Sequence, residues 1–394
     1  MWRNMDYSEE ALRLHEELRG KLDIVSRRPV ETLKDLSLLY TPGVAAPCLE
    51  IRKDYHKSFS LTGRGRTVAV ITDGSAVLGL GNIGPAAGMP VMEGKCVLFK
   101  ELGGVDAFPL CLDTQDTDKL VETIFLLSKS FGGINLEDIS APRCFEVERR
   151  LKKLCDIPVF HDDQHGTAIV VAAALINAVK LTGKTMGKLR IAISGAGAAG
   201  IAIGNLLLDM GFGNVILCDS NGIICEGDPG LTSGKEEISH RSNLYREHGK
   251  LSDALVGADA FVGVSREGLV TAEMVSGMKN GIVLAMANPV PEIMPDEAKR
   301  GGAAVIGTGR SDFQNQINNV LVFPGLFKGA LMVEALDISE SMKQAAARAL
   351  AGMVSGDQLS ADHILPNPLD RTVADIIAEA VAEDASATGN IRKR

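Results

Sequence analysis

The chain has no excess of positive charge, no paired-cysteine framework, no readable leader and no apolar run of membrane length. Each absence removes a class of function. Its 394 residues carry a net charge of -9, which leaves no basic surface to grip a phosphate backbone, so nucleic acid is not expected as a partner. Seven cysteines, an odd number without a CxxC pair, point to reduced thiols in the cytosol rather than to disulfides or a zinc knuckle. The opening residues, MWRNMDYSEEALRLHEEL, alternate charge with apolar positions and contain no apolar h-region, so no signal peptide is readable and a cytoplasmic location is the default expectation. The longest apolar stretch, Ala168 to Val179, is interrupted by Asn177. It falls short of the roughly 20 residues that a hydrocarbon core demands, and reads as a buried helix rather than a membrane contact.

What is present is the length and composition of an ordinary enzyme, 45% hydrophobic and 23% charged, enough for two domains with a core in each. Up to about Lys57 the pattern is mostly helical, with Leu12, His15, Leu18 and Leu22 near one face, until Pro42, Gly43 and Pro47 break it. "TVAVIT" (67–72) and "FPLCLD" (108–113) read as short buried strands, which makes residues 1–160 an N-terminal α/β domain. Over 161–394 a helix at 166–181 is followed by "LRIAIS", "NVILCD", "ADAFVGVS", "GIVLAMANP" and "AAVIGTG". Four or five apolar strands alternating with helical stretches predict a doubly wound, Rossmann-type parallel sheet, with Ala-rich helices from Lys328 onward packing across both domains.

Gly195, Gly197 and Gly200, with Ala196, Ala198 and Ala199 between them, directly follow the strand "LRIAIS" and open a helix. That context lifts GxGxxG above chance, because the glycines admit a pyrophosphate to the backbone and the helix N-terminus supplies its amides. Asp219 ends the next strand, where a carboxylate can accept from both ribose hydroxyls, which favours NAD over NADP. A second match, Gly79, Gly81 and Gly84, is separated from its strand by "DGSAVL". It is no strand-to-helix turn, and reads as a loop shaped for close approach or packing.

Asp162 and Asp163 follow the strand-like "IPVF", and Glu137 and Asp138 stand in "GGINLEDIS". Such pairs at strand ends converge readily on one cleft, and hard oxygen ligands suit Mg²⁺ or Mn²⁺; taken singly, each pair reads equally as solvated loop acids. His165, at the start of the helix, reads as a hydrogen-bonding residue, and neither it nor His161 is assigned to the metal. Lys95 in a desolvated cleft could lose a proton and Tyr40 could donate one, although a surface lysine and a packing tyrosine are the simpler readings of each alone.

In chain order, "LLYTPGVAAPC", "TDGSAVLGLGNIGPAAGMPVMEGKCVLFK", "INLEDI", "VFHDDQHGTA", "ISGAGAAG", "AMANPVPEI" and "GTGRSDFQNQINNVLVFPGL" resemble the bacterial short-form malic enzymes. The resemblance runs from about Ala11 to Asp370. It implies an N-terminal domain carrying substrate, metal and catalytic residues, ahead of an NAD(P)-binding domain. By position it implies Glu137, Asp138 and Asp163 as ligands of a divalent metal, Lys95 as general base, Tyr40 as general acid and Asp162 as the acid supporting the lysine. Asn288 and Asn319 correspond to amides around the substrate carboxylate and nicotinamide. The implied reaction takes malate to pyruvate and CO₂ with NAD(P)⁺; a malolactic enzyme giving lactate and a non-catalytic dinucleotide-binding regulator are the alternatives. A homodimer is the family expectation. Larger malic enzymes carry an Arg where this chain has Ser75 and Ala76, which leaves open how the second malate carboxylate is held. Some NADP-using relatives also keep an Asp at the position of Asp219, so NADP stays open as well.

Overall fold

The computed structural model describes residues 7–392, so the first part of the stretch read for a leader lies outside it. Four helices come first: α1 (Ser8–Leu18), α2 (Leu33–Leu39), α3 (Ala45–Lys53) and α4 (Lys57–Leu61). None of the first three buries a residue. Leu12 and Leu18, expected on an inward face, are 63% and 50% exposed, whereas Leu22 falls beyond α1 and packs on the main core.

The chain then alternates strand and helix: β1 (Thr67–Thr72), α5 (Pro85–Gly103), β2 (Asp106–Cys111), α6 (Thr117–Leu127), β3 (Gly133–Leu136), α7 (Arg143–Leu154) and β4 (Val159–His161). Every residue of β1 is buried, as a strand covered on both faces requires. The four strands pair in parallel in the order β2-β1-β3-β4. The chain therefore winds one way from β1 to β2 and the other way to β3, leaving a crevice beyond the C-terminal ends of β1 and β3. Strand β2 starts two residues earlier than its apolar run, because Asp106 pairs with Thr67 at the start of β1.

A single π-helical turn, Asp162–Gly166, leads into α8 (Thr167–Leu181). The continuous helical stretch Asp162–Leu181 is long and apolar enough to cross a membrane by composition, but 78% of its apolar window is buried inside the protein. Its apolar residues belong to the main core.

The second unit comprises β5 (Arg190–Ser194), α9 (Ala198–Asp209), β6 (Asn214–Asp219), β7 (Gly222–Ile223), α10 (Ser233–Ser239), α11 (Leu251–Leu255), β8 (Ala260–Gly263), α12 (Ala272–Ser276), β9 (Ile282–Ala285), α13 (Pro295–Arg300) and β10 (Val305–Thr308). Its order is β10-β9-β8-β5-β6-β7, parallel except for the short antiparallel β7. That added strand lies in the stretch after Asp219, where the sequence analysis expects none. The winding reverses between β5 and β8, which opens a second crevice at the glycine-rich loop. Helices α14 (Phe323–Met332), α15 (Glu340–Gly352) and α16 (Thr372–Thr388) close the fold. Phe323 and Phe327 stack on Phe99 of α5 at 4.7 and 5.4 Å, while the Asn177 amide of α8 donates to the carbonyls of Ala351 and Ile364 at 2.8 and 2.9 Å. The terminal helices thus pack on elements of both units.

Candidate active site

The two crevices open into one cavity of about 1040 Å³. Lys95, Glu137, Asp138 and Asp163 line one wall; Ala199, Ser265, Asn288 and Asn319 line the other. Lys95 enters from α5, Glu137 and Asp138 from the end of β3, and Asp162 and Asp163 from the π-helical turn. A π turn inserts an extra residue into a helix and shifts which side chains face which way, a recurrent device at functional sites. Here Asp163 faces the cavity while Gln164 and His165 line a separate one of about 940 Å³ on the far side. Gly166 is required beneath the turn, since a Cβ there would overlap Asp162 Oδ1.

Lys95 is the hub. Its Nζ donates to Asp162 Oδ2 at 2.5 Å and to Glu137 Oε1 at 2.8 Å, and lies 4.2 Å from the centre of the Phe323 ring. Asp162 also accepts from the Asn319 amide at 2.6 Å, Glu137 from Asn135 Nδ2 at 2.8 Å, and Asp163 from the backbone amide of Asp138 at 2.7 Å. Asp162 is fully buried, and Lys95, Glu137 and Asp138 nearly so. Burial by itself would lower the Lys95 pKa, but the charges of Asp162, Glu137 and Asp163 outweigh it and raise the value. Burial likewise pushes Glu137 and Asp163 well above the usual carboxylate range, and Asp162 up to about 7, against the opposing pull of Lys95. The acids outnumber the one cation among them, which leaves the cluster short of positive charge.

His161 is fully buried, and burial pushes it down to about 4, so its ring is neutral, with Nδ1 3.7 Å from Asp163 Oδ2. His165 instead donates from Nε2 to the Glu148 carboxylate at 2.9 Å and accepts at Nδ1 from Lys343 at 3.1 Å, away from the acid cluster.

On the opposite wall, Gly195 has φ +108, and a Cβ on Gly200 would overlap the Gly195 carbonyl. Gly195, Ala196 and Gly197 thus form a tight turn into α9, whose N-terminus at Ala198 and Ala199 opens toward the cavity with unsatisfied amides for a pyrophosphate. Asp219 stands at the end of β6 outside the residues lining the cavity. Its Oδ2 accepts from Lys235 Nζ at 2.5 Å and its Oδ1 from the Asn221 amide at 2.7 Å. Burial would raise this carboxyl, but those two donors hold it below its ordinary value.

Tyr40, like Asp219, is a candidate that the chain does not bring into the cavity lining. It caps α2, is 67% exposed, and is absent from the lining. Conversely, Asn135, Lys235 and Phe323 touch site residues and were not anticipated. Asn135 was findable: two residues before Glu137 on β3, it shares that residue's face.

Replacing Lys95 with Met should remove the one counter-charge from the cluster and cost about 3 kcal/mol of stability at pH 8. The acids' folded pKa values lie above their unfolded ones, so their burden on stability grows as pH rises through the folded values and fades toward pH 5. Thermal melts across that range should therefore show the variant trailing the wild type most at pH 8; an equal deficit at both ends would contradict the charge argument.

Residues 19–152 match the malic enzyme N-terminal domain and residues 164–386 the malic enzyme NAD binding domain. The chain is 56% identical to the bifunctional malic/malolactic enzyme of Bacillus subtilis over 98% of its own length and 95% of that protein. It is 49% identical to the NAD-dependent malic enzyme of Geobacillus stearothermophilus over 99% of its length and 81% of that protein. Among solved structures, the malic enzyme of Pyrococcus horikoshii superposes with a TM-score of 0.94 at 43% identity, covering 98% of this chain and 92% of that one. The two domains match in the order and at the places where the two sheets lie, and the chain belongs to the malic enzyme family.

Proposed function

We propose that the chain converts (S)-malate to pyruvate and CO₂ with reduction of NAD(P)⁺, and that Glu137, Asp138 and Asp163 hold the Mg²⁺ or Mn²⁺ this requires. The observation that carries the reading is the buried Lys95 cluster facing the glycine-rich turn across one cavity. We set the boundary between the substrate and metal domain, 1–160, and the dinucleotide domain, 161–394, just before the π turn. The three proposed metal ligands offer hard oxygen donors to one cavity and are short of counter-charge, which suits a divalent cation. Among the described residues no three donors are already gathered as a closed site, and Glu137 is also bonded to Lys95. The chemistry that a divalent cation supplies when bound is stabilisation of negative charge on the substrate oxygen at C2.

The overall reaction is proton-neutral: the hydroxyl proton leaves the oxygen on C2, hydride leaves C2 for the nicotinamide, the C3–C4 bond breaks to release CO₂, and one proton arrives at C3. Lys95 takes the hydroxyl proton. It can do so because burial is the largest influence on its pKa and acts downward, so drawing the carboxylates' charge away from it lets that influence prevail. Asp162, bonded to Lys95 and to Asn319, holds the ammonium in place and passes its proton onward. Asn288 and Asn319 orient the substrate carboxylate and the nicotinamide. Gly195 to Gly200 hold the pyrophosphate. Asp219 takes the ribose hydroxyls, while its partner Lys235 puts a cation within the same pocket and so keeps NADP acceptable beside NAD.

Tyr40 delivers the proton to C3, and we propose that it does so in a second copy of the chain. Helices α1, α2 and α3 bury nothing, and Ile24, Val25, Leu33 and Tyr40 are 88%, 79%, 83% and 67% exposed. An apolar arm of this kind suits a homodimer in which each arm covers the other subunit. The reduced dinucleotide and the free thiols fit a cytoplasmic site, with malate and pyruvate as the small-molecule partners. A malolactic outcome is the second reading, favoured by the Bacillus subtilis relative that is named for both activities.

Purified enzyme with malate, Mn²⁺ and either NAD⁺ or NADP⁺ should show reduction at the nicotinamide band with matching pyruvate, abolished by a chelator. Lactate without net reduction would establish the malolactic reading, and no product at all would leave a dinucleotide-binding regulator. For the shared site, Tyr40→Phe and Lys95→Met subunits should each be nearly inactive and should regain activity after mixing and subunit exchange. Failure of exchanged mixtures to regain it would place both residues in one subunit.

A further inference from the structure

The acid-rich cavity must receive a dianion, and this raises the question of which group meets the substrate carboxylate farthest from the metal ligands. The loop that carries Ser75 and Ala76 supplies no cation. Ser75 Oγ donates to Asp73 at 2.5 Å and accepts from the Ser140 amide at 2.9 Å, and the Ala76 amide is spent on the Asp138 carbonyl. Arg143, which also reaches Ser75, is held by Asp73 at 2.6 Å and lines the other cavity. Among the described residues lining the active-site cavity, the lysines are Lys95 and Lys21, joined by His15. Lys95 is committed to Asp162 and Glu137.

Lys21 is differently placed. It is half-buried, and its ammonium donates to the Pro90 carbonyl of α5 at 2.7 Å, leaving two of its three N–H directions for a ligand. Its neighbour Leu22 packs on the main core, so the position of Lys21 does not depend on the exposed arm around it. Its Nζ lies 3.6 Å from where a Cβ would stand at Gly94, so the absence of a side chain immediately before Lys95 keeps the path along α5 open. Even with a divalent cation added, Glu137, Asp138, Asp162 and Asp163 leave the cavity without surplus positive charge, and like charges at these separations repel strongly in a partly dry site.

We infer that Lys21 is a substrate-binding residue that receives the remote carboxylate of the dicarboxylic acid, in place of the arginine that this chain lacks at Ser75 and Ala76. The inference rests on the malate reading for the identity of the acid, but not for the preference of two carboxylates over one. A lysine there selects dicarboxylates from monocarboxylates that share the hydroxy-acid end, because only the former fill both the metal-ligand side and the Lys21 side.

The test compares wild type, Lys21→Ala and Lys21→Arg as full-length enzyme with Mn²⁺ and dinucleotide, following malate turnover and, by calorimetry, binding of malate and (S)-lactate, its analogue without the C4 carboxylate. Lys21→Ala should raise the malate KM about tenfold or more with a much smaller change in kcat. It should weaken malate binding, leave lactate binding and the dinucleotide KM as in wild type, and be partly rescued by Lys21→Arg, with unchanged thermal melts. Equal weakening of malate and lactate, a rise confined to the dinucleotide KM, or no change would each overturn the assignment. If wild type binds dicarboxylates in a Lys21-dependent way without turning malate over, the Lys21 assignment stands and the catalytic reading fails.

Discussion

Lys95 holds a positive charge in a buried position where the fold hydrates it poorly, and two buried carboxylates keep it there. Its ammonium bridges Asp162 and Glu137 at 2.5 and 2.8 Å, and so ties α5, the end of β3 and the turn after β4 into one charged knot. The end of β3 and the turn are also joined by strand pairing and by the Asp138 amide on Asp163, so a change in the charge of the ion group is felt by both together. That is the property a proton-moving site needs, and an apolar contact in the same place would not have it.

The fold serves this knot by bringing two topological switch points face to face. The reversal between β1 and β3 places the acids, and the reversal between β5 and β8 places the glycine-rich turn. The helix that begins at the π turn is buried along almost its whole length, in a core that also takes side chains from both sheets. Asp162 and Asp163 therefore ride at the start of a buried helix, Asp162 enclosed against Lys95 and Asp163 lining the active-site cavity. The far side of the same turn carries His165, engaged with Glu148 and Lys343, which fixes the turn from behind.

Much of this was legible before any coordinates. "TVAVIT" is β1 residue for residue, and the glycines after "LRIAIS" stand at the strand-to-helix turn that gives them meaning. The two acid pairs suggested a shared cleft by their places at strand ends, but only the resemblance separated a ligand set from solvated loop acids, because each pair alone reads equally as the latter. The charge state of Lys95 was not legible, since it depends on distances across three elements. Tyr40 illustrates another limit: an amphipathic pattern shows that a helix has an apolar face, not what covers it, and here nothing among the described residues does. The strand β7 escaped notice because two residues hold too little periodicity to read.

The central claim is that the carboxylates together outweigh burial in setting the proton affinity of Lys95, and that a cation drawing on their charge would lower it. The most direct measurement is the pH titration of the Lys95 side-chain nitrogen by NMR in enzyme with selectively labelled lysine, identified by its loss in Lys95→Met, without and with Mg²⁺. The account predicts an ammonium that persists above the ordinary lysine range in the absence of the metal and titrates at distinctly lower pH in its presence. A titration that is the same in both, or that already lies below the ordinary range without metal, would contradict it.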